Sequence, residues 1–244
     1  MGGSILKRFV PFVALDVASE HQAEELLDQL AVAEKPIIKI GMELFYSFGP
    51  SIVKMVQDRG FDVFLDLKLH DIPNTVKRAM TAIGKMGVSF TTIHAAGGNE
   101  MLKAGREGLD EGAQAAGVKS AKLLAITQLT SIDETILHEQ QHVDISLIES
   151  VQSYAQLAQN TGMDGVICSA QELSAIRRVT DDGFLCITPG IRPTIKHDDD
   201  QKRVVTPAQA RELGSNGIVV GRPITRSDNP VQAYLDIKQA FMEE

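Results

Sequence analysis

Short apolar runs rich in β-branched residues alternate along this chain with longer segments of helical period, and few folds accommodate that alternation. The runs are FVPFVALDV (9–17), PIIKIGM (36–42), DVFLDLKL (62–69), FTTIHA (90–95), AKLLAITQL (121–129), GVICSA (165–170), FLCITPG (184–190) and GIVVGR (217–222). Between them, stretches such as EELLDQLAVA and QSYAQLAQNTG place apolar residues three and four apart, the spacing of one helix face. Ser19–Gln22, Ser131–Glu134, Ser169–Glu172 and Thr206–Gln209 each fit a capping box, the last with Pro207 at the first helical position. Strands that alternate with helices pair in parallel, and eight such units predict a closed (β/α)8 TIM barrel. An open doubly wound sheet usually carries a glycine-rich nucleotide loop after its first strand, and ALDVASE is not one. No linker, low-complexity tract or charge asymmetry marks a boundary, so residues 1–244 are expected to form a single domain. The connection 191–205, IRPTIKHDDDQKRVV, is longer than the roughly 2–6 residues of an ordinary βα loop and is the candidate lid. Its HDDD run reads as a solvated loop face.

Charge narrows the ligand class. A net charge of −8 argues against a nucleic-acid or anionic-membrane surface, so an anionic ligand has to be caught by a local cluster of positive groups. No apolar run reaches membrane-spanning length. Lys7 and Arg8 ahead of FVPFVAL imitate a secretion signal, but the stretch runs at once into Asp16 and reads as a first strand. Gly2 does not begin a myristoylation signal, because position 6 is Leu. Cys168 and Cys186 both fall in apolar runs and are expected as buried, inert thiols of a cytoplasmic protein.

The third run contradicts its own hydrophobicity. DLKLHD (66–71) sets two carboxylates, an ammonium and an imidazole in a strand that a barrel buries, and unpaired buried charge is costly. The exception in a barrel is the mouth at the C-terminal strand ends, and polar residues collect there: Asp16, Lys39, Asp66, Lys68, His94, Thr127, Thr130, Ser169, Arg192 and Arg222. Period-two alternation puts Asp66, Lys68 and His70 on one face, with Asp71 just past the strand. Carboxylates flanking Lys68 keep it protonated, which suits a proton donor and not a Schiff-base nucleophile. Lys39 extends the array to alternating signs. TPGIRP and GIVVGRPIT end the last two strands with small residues followed by Arg, the pattern of a barrel phosphate site in which Arg222 forks onto a phosphate. HEQQH (138–142) formally fits a zinc-protease pattern, but Ile145 and Ile148 stand where its metzincin extension needs Gly and His, so no metal is expected there. His94 is expected to line the barrel as a hydrogen-bonded histidine.

FLDLKLHDIPNTV closely resembles the signature of the orotidine 5′-phosphate decarboxylase family. ALDV, KIGMELF, HAAGG, ITQLTS, GVICSAQE, TPGIRP and VVGRPIT follow in family order over nearly the whole chain. The resemblance implies a (β/α)8 homodimer that needs no metal or organic cofactor and converts orotidine 5′-phosphate to UMP. It implies that Lys68 protonates C6, that Asp66 sits near the substrate carboxylate, and that Asp71 reaches in from the partner subunit. Asp16 and Lys39 would bind the ribose hydroxyls, and Thr75 the neighbouring subunit's nucleotide. Thr130 and Ser131 would lie by the pyrimidine. Arg192, Gln201, Arg222 and the Gly221 N–H would hold the phosphate. Two other readings stay open. Magnesium-dependent 3-keto-gulonate-phosphate decarboxylases share the Asp-x-Lys-x-x-Asp motif but carry a carboxylate where this chain has Lys39. A non-catalytic phosphate-binding barrel would keep the Arg222 region and have no use for DLKLHD.

Overall fold

The computed structural model describes residues 7–32, 34–193 and 204–243. Eight parallel strands close into a barrel in chain order. They are β1 (Phe12–Ala14), β2 (Ile37–Gly41), β3 (Val63–Leu69), β4 (Phe90–His94), β5 (Lys122–Ile126), β6 (Gly165–Ile167), β7 (Leu185–Thr188) and β8 (Gly217–Val220). The ladder returns to its start where Phe12 pairs with both Ile37 and Val219. All eight expected strands are present, each shorter than its apolar run, because the run also covers the turn into the following helix. Around them lie α1 (Glu20–Gln29), α2 (Met42–Phe48), α3 (Pro50–Asp58), α4 (Pro73–Gly84), α5 (Gly98–Ala116), α6 (Leu147–Asn160), α7 (Leu173–Arg177), α8 (Pro207–Glu212), α9 (Arg222–Thr225) and α10 (Pro230–Met242). No helix among the described residues is long and apolar enough to cross a membrane.

Two apolar layers follow from strands buried on both faces. The outer layer packs strand residues such as Val13, Ile38, Leu65 and Ile93 against the helices. The inner layer fills the barrel with Phe12, Phe64, Phe90, Leu124 and Ile187. Its aromatic rings meet edge to face, Phe12 lying 5.1 Å from Phe90 and 5.4 Å from Phe64, centroid to centroid. This phenylalanine plug seals the lower barrel and leaves the upper end open for chemistry.

The helix-start signals are partly realised. Ser19 accepts from the Gln22 N–H, and Thr206 and Gln209 complete a full box with Pro207 in the first turn. The Glu172 carboxylate accepts from the Ser169 N–H at 2.9 Å. The expected Ser131–Glu134 box does not form. Asp133 takes the Ile136 N–H at 3.0 Å instead, and Glu134 is drawn across the loop to the Leu147 N–H, also at 3.0 Å. A single π-turn (Ile136–Gln140) replaces the expected helix start, and α6 begins later at a Ser146–Glu149 box. The connection 127–146 is therefore a second long βα loop. The first, 191–205, is tied at its feet by an Ile191–Val205 bridge, with the Arg192 N–H donating to the Val205 carbonyl at 3.0 Å. Residues 194–203 between those feet lie outside the described residues.

Helices α4 and α5 approach unusually closely. A Cβ on Gly108 would overlap the Lys77 carbonyl, and one on Gly112 the Thr81 carbonyl. Gly108→Ala must push the helices apart, and we expect it to destabilise the fold by about 1–3 kcal/mol, measured by urea unfolding.

Candidate active site

The first three strands bring four charged groups to the barrel mouth. Asp16 follows β1, Lys39 lies on β2, and Asp66 and Lys68 lie on β3. The Lys68 ammonium donates to Asp66 Oδ2 at 2.8 Å. Lys39 Nζ stands 3.7 Å from that same oxygen and 3.7 Å from Asp16 Oδ1. The second Asp66 oxygen, Oδ1, accepts from the Thr92 hydroxyl at 2.9 Å. Asp66 is only 8 % exposed. Burial alone would raise its pKa, but the charges of Lys39 and Lys68, with the hydrogen bonds from Lys68 and Thr92, outweigh it and hold the carboxyl below its usual range.

The alternation expected for DLKLHD is broken at Lys68. Its φ is 52°, a left-handed conformation that costs a residue with a Cβ about 1–3 kcal/mol. The register with β4 shifts between Leu65 and Leu69, so β3 bulges where its charges sit. His70 lies beyond the bulge and stacks on His94 with centroids 5.5 Å apart. His94 is held by this stacking and not by a hydrogen bond among the described residues, contrary to expectation. Burial, followed by His70 and Lys68, lowers its pKa, so it is neutral at pH 7.

A cavity of about 200 Å³ opens beside the array. Lys39, Asp66 and Lys68 line it together with Gln128, Leu129 and Thr130 from the 127–146 loop. Phe64, Ile126, Ile167 and Val219 form an apolar floor. Charged and amide groups thus border an apolar floor. Toward β8, Gly221 lies so near Asp16 that an added Cβ would stand 3.4 Å from Asp16 Oδ2. Arg222 opens α9 on the exposed rim, and the half-buried Arg192 donates to the Ile191 carbonyl at 3.0 Å.

Of the residues picked out in the sequence, Asp16, Lys39, Asp66, Lys68 and Thr130 converge on this mouth. Asp71 does not join them: it is exposed, and its carboxylate accepts from the Ile72 N–H at 2.6 Å. Thr75 is exposed in the first turn of α4, and Ser131 is exposed outside the cavity wall. Gln201 lies outside the described residues. Cys168 and Cys186 are free and buried, as expected. Sequence reading missed Gln128, whose buried amide donates to Ser150 Oγ at 3.0 Å, and Thr92. The polar Gln128 in an apolar strand run was a usable signal; nothing singled out Thr92. His138 of HEQQH bonds the Val143 carbonyl and pairs with Glu134, and among the described residues no cluster of three or more metal-ligand side chains occurs.

A closed parallel barrel with charged groups gathered at its C-terminal mouth defines a (β/α)8-barrel enzyme. The chain belongs to the Orotidine 5'-phosphate decarboxylase / HUMPS family, whose sequence model matches residues 11–237. Relatives about half identical over nearly its whole length, named as orotidine 5'-phosphate decarboxylases, mark it as a carboxy-lyase. It is similar to the orotidine 5'-phosphate decarboxylase of Latilactobacillus sakei subsp. sakei, 56% identical over 94% of this chain and 96% of the relative. That of Enterococcus faecalis is 49% identical over 96% and 98% of the two chains. The crystal structure of orotidine 5'-phosphate decarboxylase from Lactobacillus acidophilus superposes with a TM-score of 0.85 at 43% identity, covering 95% and 98%.

The depressed Asp66 pKa has a consequence for stability. Its stabilisation is fully present above the unfolded-state value of about 4 and is lost as pH falls through the lower folded-state value. The unfolding free energy of wild type over Asp66→Asn, followed by urea titration, should therefore shrink as pH is lowered from about 5 to 2.

Proposed function

We propose that this chain decarboxylates orotidine 5′-phosphate to UMP in pyrimidine biosynthesis. The observation that carries the reading is the Lys39–Asp66–Lys68 array facing a ring-sized cavity. Loss of carbon dioxide from C6 leaves its bonding electron pair in an sp² orbital outside the ring π system. No electron sink is conjugated with that pair, so it is stabilised by a fixed positive charge and quenched by a proton. Lys68 supplies both: its ammonium gives the proton to C6 and is later reprotonated from solvent. Asp66 sits beside the departing carboxylate and aims the ammonium. Catalysis of this kind requires no metal or organic cofactor, and Lys39 occupies the position where the magnesium-dependent relatives carry a carboxylate.

The remaining roles follow the charge layout. Asp16 and Lys39 bind the ribose hydroxyls, and Thr130 and Ser131 take the pyrimidine edge. Arg192, Gln201, Arg222 and the Gly221 N–H hold the phosphate, residues 191–205 closing over it. Two unit charges 4 Å apart interact by about 4 kcal/mol at an effective dielectric near 20. One lysine thus falls short of a barrier reduction of order 20 kcal/mol. Phosphate binding must supply much of the rest, by driving closure and expelling water. The catalyst is read as a cytoplasmic homodimer, with no nucleic-acid or membrane partner. Asp71 and Thr75 sit outside their own site, and at the same mouth Tyr46 on α2 and Ile72 before α4 are 70% and 67% exposed. An apolar rim around two such residues fits a second copy that receives them into its own site.

Adding orotidine 5′-phosphate to chelator-treated protein should abolish the substrate's characteristic ultraviolet absorbance. In Lys68→Ala the rate should fall by at least ~10³-fold while UMP affinity is largely kept. A chelator-sensitive activity, or near-normal turnover in the variant, would overturn the reading.

Shared sites predict complementation. Lys68→Ala and Asp71→Ala proteins, each nearly inactive alone, should on subunit exchange regain roughly a quarter of wild-type activity, because half the dimers are mixed and each carries one intact site. No recovery, with exchange verified by tagged subunits, assigns Asp71 to its own subunit's site.

A further inference from the structure

Thr92 lies in β4 with no solvent exposure, opposite the irregular stretch of β3. The register pairs Leu65 with Thr91 and Leu69 with Ile93, so Asp66, Leu67 and Lys68 stand against Thr92 alone. The surplus residues interrupt the ladder, and a backbone N–H buried there needs another acceptor. The Thr92 hydroxyl provides it, accepting from the Lys68 N–H at 2.9 Å. The same oxygen donates its own proton to Asp66 Oδ1, also at 2.9 Å. A hydroxyl gives one proton and has lone pairs to spare, so the two bonds do not compete. One side chain thereby grips the strained backbone of Lys68 and the carboxylate that aims its ammonium. Thr92 is fully buried and is not among the residues that line the cavity.

We infer that Thr92 is a positioning residue for the decarboxylation: its hydroxyl fixes the left-handed Lys68 backbone and the Asp66 carboxylate together, so that the ammonium points into the cavity. This rests on the decarboxylase reading of the site. Neighbouring Thr91 offers an internal control. It is equally buried, and its hydroxyl donates to the Leu65 carbonyl at 2.9 Å without touching either charged residue.

The test compares Thr92→Val, which keeps the shape and removes the hydroxyl, with Thr92→Ser, which keeps the hydroxyl, and with Thr91→Val. Orotidine 5′-phosphate turnover, UMP affinity and thermal unfolding are measured for each. Thr92→Val should lose kcat by ~10²-fold with UMP affinity changed by less than about threefold, since only the geometry of the reacting group is disturbed. Thr92→Ser should regain most of the rate. Thr91→Val should lower the melting temperature and leave kcat near wild type. Thr92→Ala repeats the measurement if valine does not fold. Wild-type turnover in Thr92→Val, or an equal loss of kcat in Thr91→Val, overturns the inference, as does failure of both Thr92→Val and Thr92→Ala to fold, which would make the hydroxyl a folding determinant. An inert wild type would instead bring down the decarboxylase reading, and the positioning role with it.

Discussion

A carboxylate taken out of water constrains everything around it, and Asp66 is that carboxylate. Isolated, it would protonate; ringed by Lys39, Lys68 and the Thr92 hydroxyl, it stays ionised and fixes all three. Because its partners arrive from three adjacent strands, the array exists only in the closed barrel, and no single segment can preform it. Fold and site are coupled here in both directions: the barrel supplies low dielectric and exact spacing, and the ion pairs make that burial tolerable.

Local strain is the second constraint. A regular strand would carry Lys68 past Thr92 in a plain ladder. The bulge gives up ladder pairing and places the lysine at φ 52°. Such conformations persist where the surroundings over-determine them, and here the surroundings are the hydroxyl of Thr92 and the carboxylate of Asp66. Another part of the cavity wall comes from the long 127–146 loop, anchored through Gln128 to Ser150 on α6. Charged groups held on strands thus share the cavity with a wall built from irregular backbone, a common division of labour in barrel enzymes.

Much of this was legible in the chain. Strands buried on both faces leave uninterrupted apolar runs, so eight runs gave eight strands, and charges inside such runs marked the mouth. What stayed hidden depends on tertiary competition. Ser131 matched a cap, yet Asp133 captured the Ile136 N–H and Glu134 was recruited by Leu147, thirteen residues on. The bulge was invisible because the sequence alternates evenly through Asp66, Lys68 and His70, and nothing in it reports the left-handed backbone at Lys68. Thr92 was hidden for a related reason: a threonine in a β-branched run reads as strand propensity, and only the register shows what its hydroxyl does. Asp71 read as a member of the charge array, but a single subunit leaves it in solvent.

The phenylalanine plug bears on how such a protein can change. Phe64 belongs both to the aromatic cluster and to the cavity floor, so the depth of the reaction chamber is set by ring packing beneath it. Lineages drifting toward a bulkier ligand therefore cannot simply excavate downward; shrinking that ring would loosen Phe12 and Phe90 as well. Room is easier to find to the side, in the 127–146 loop, which lines the cavity without joining the aromatic cluster. Evolutionary freedom in this barrel is one-sided, with a base locked by its aromatic rings and variation left to the loops above it.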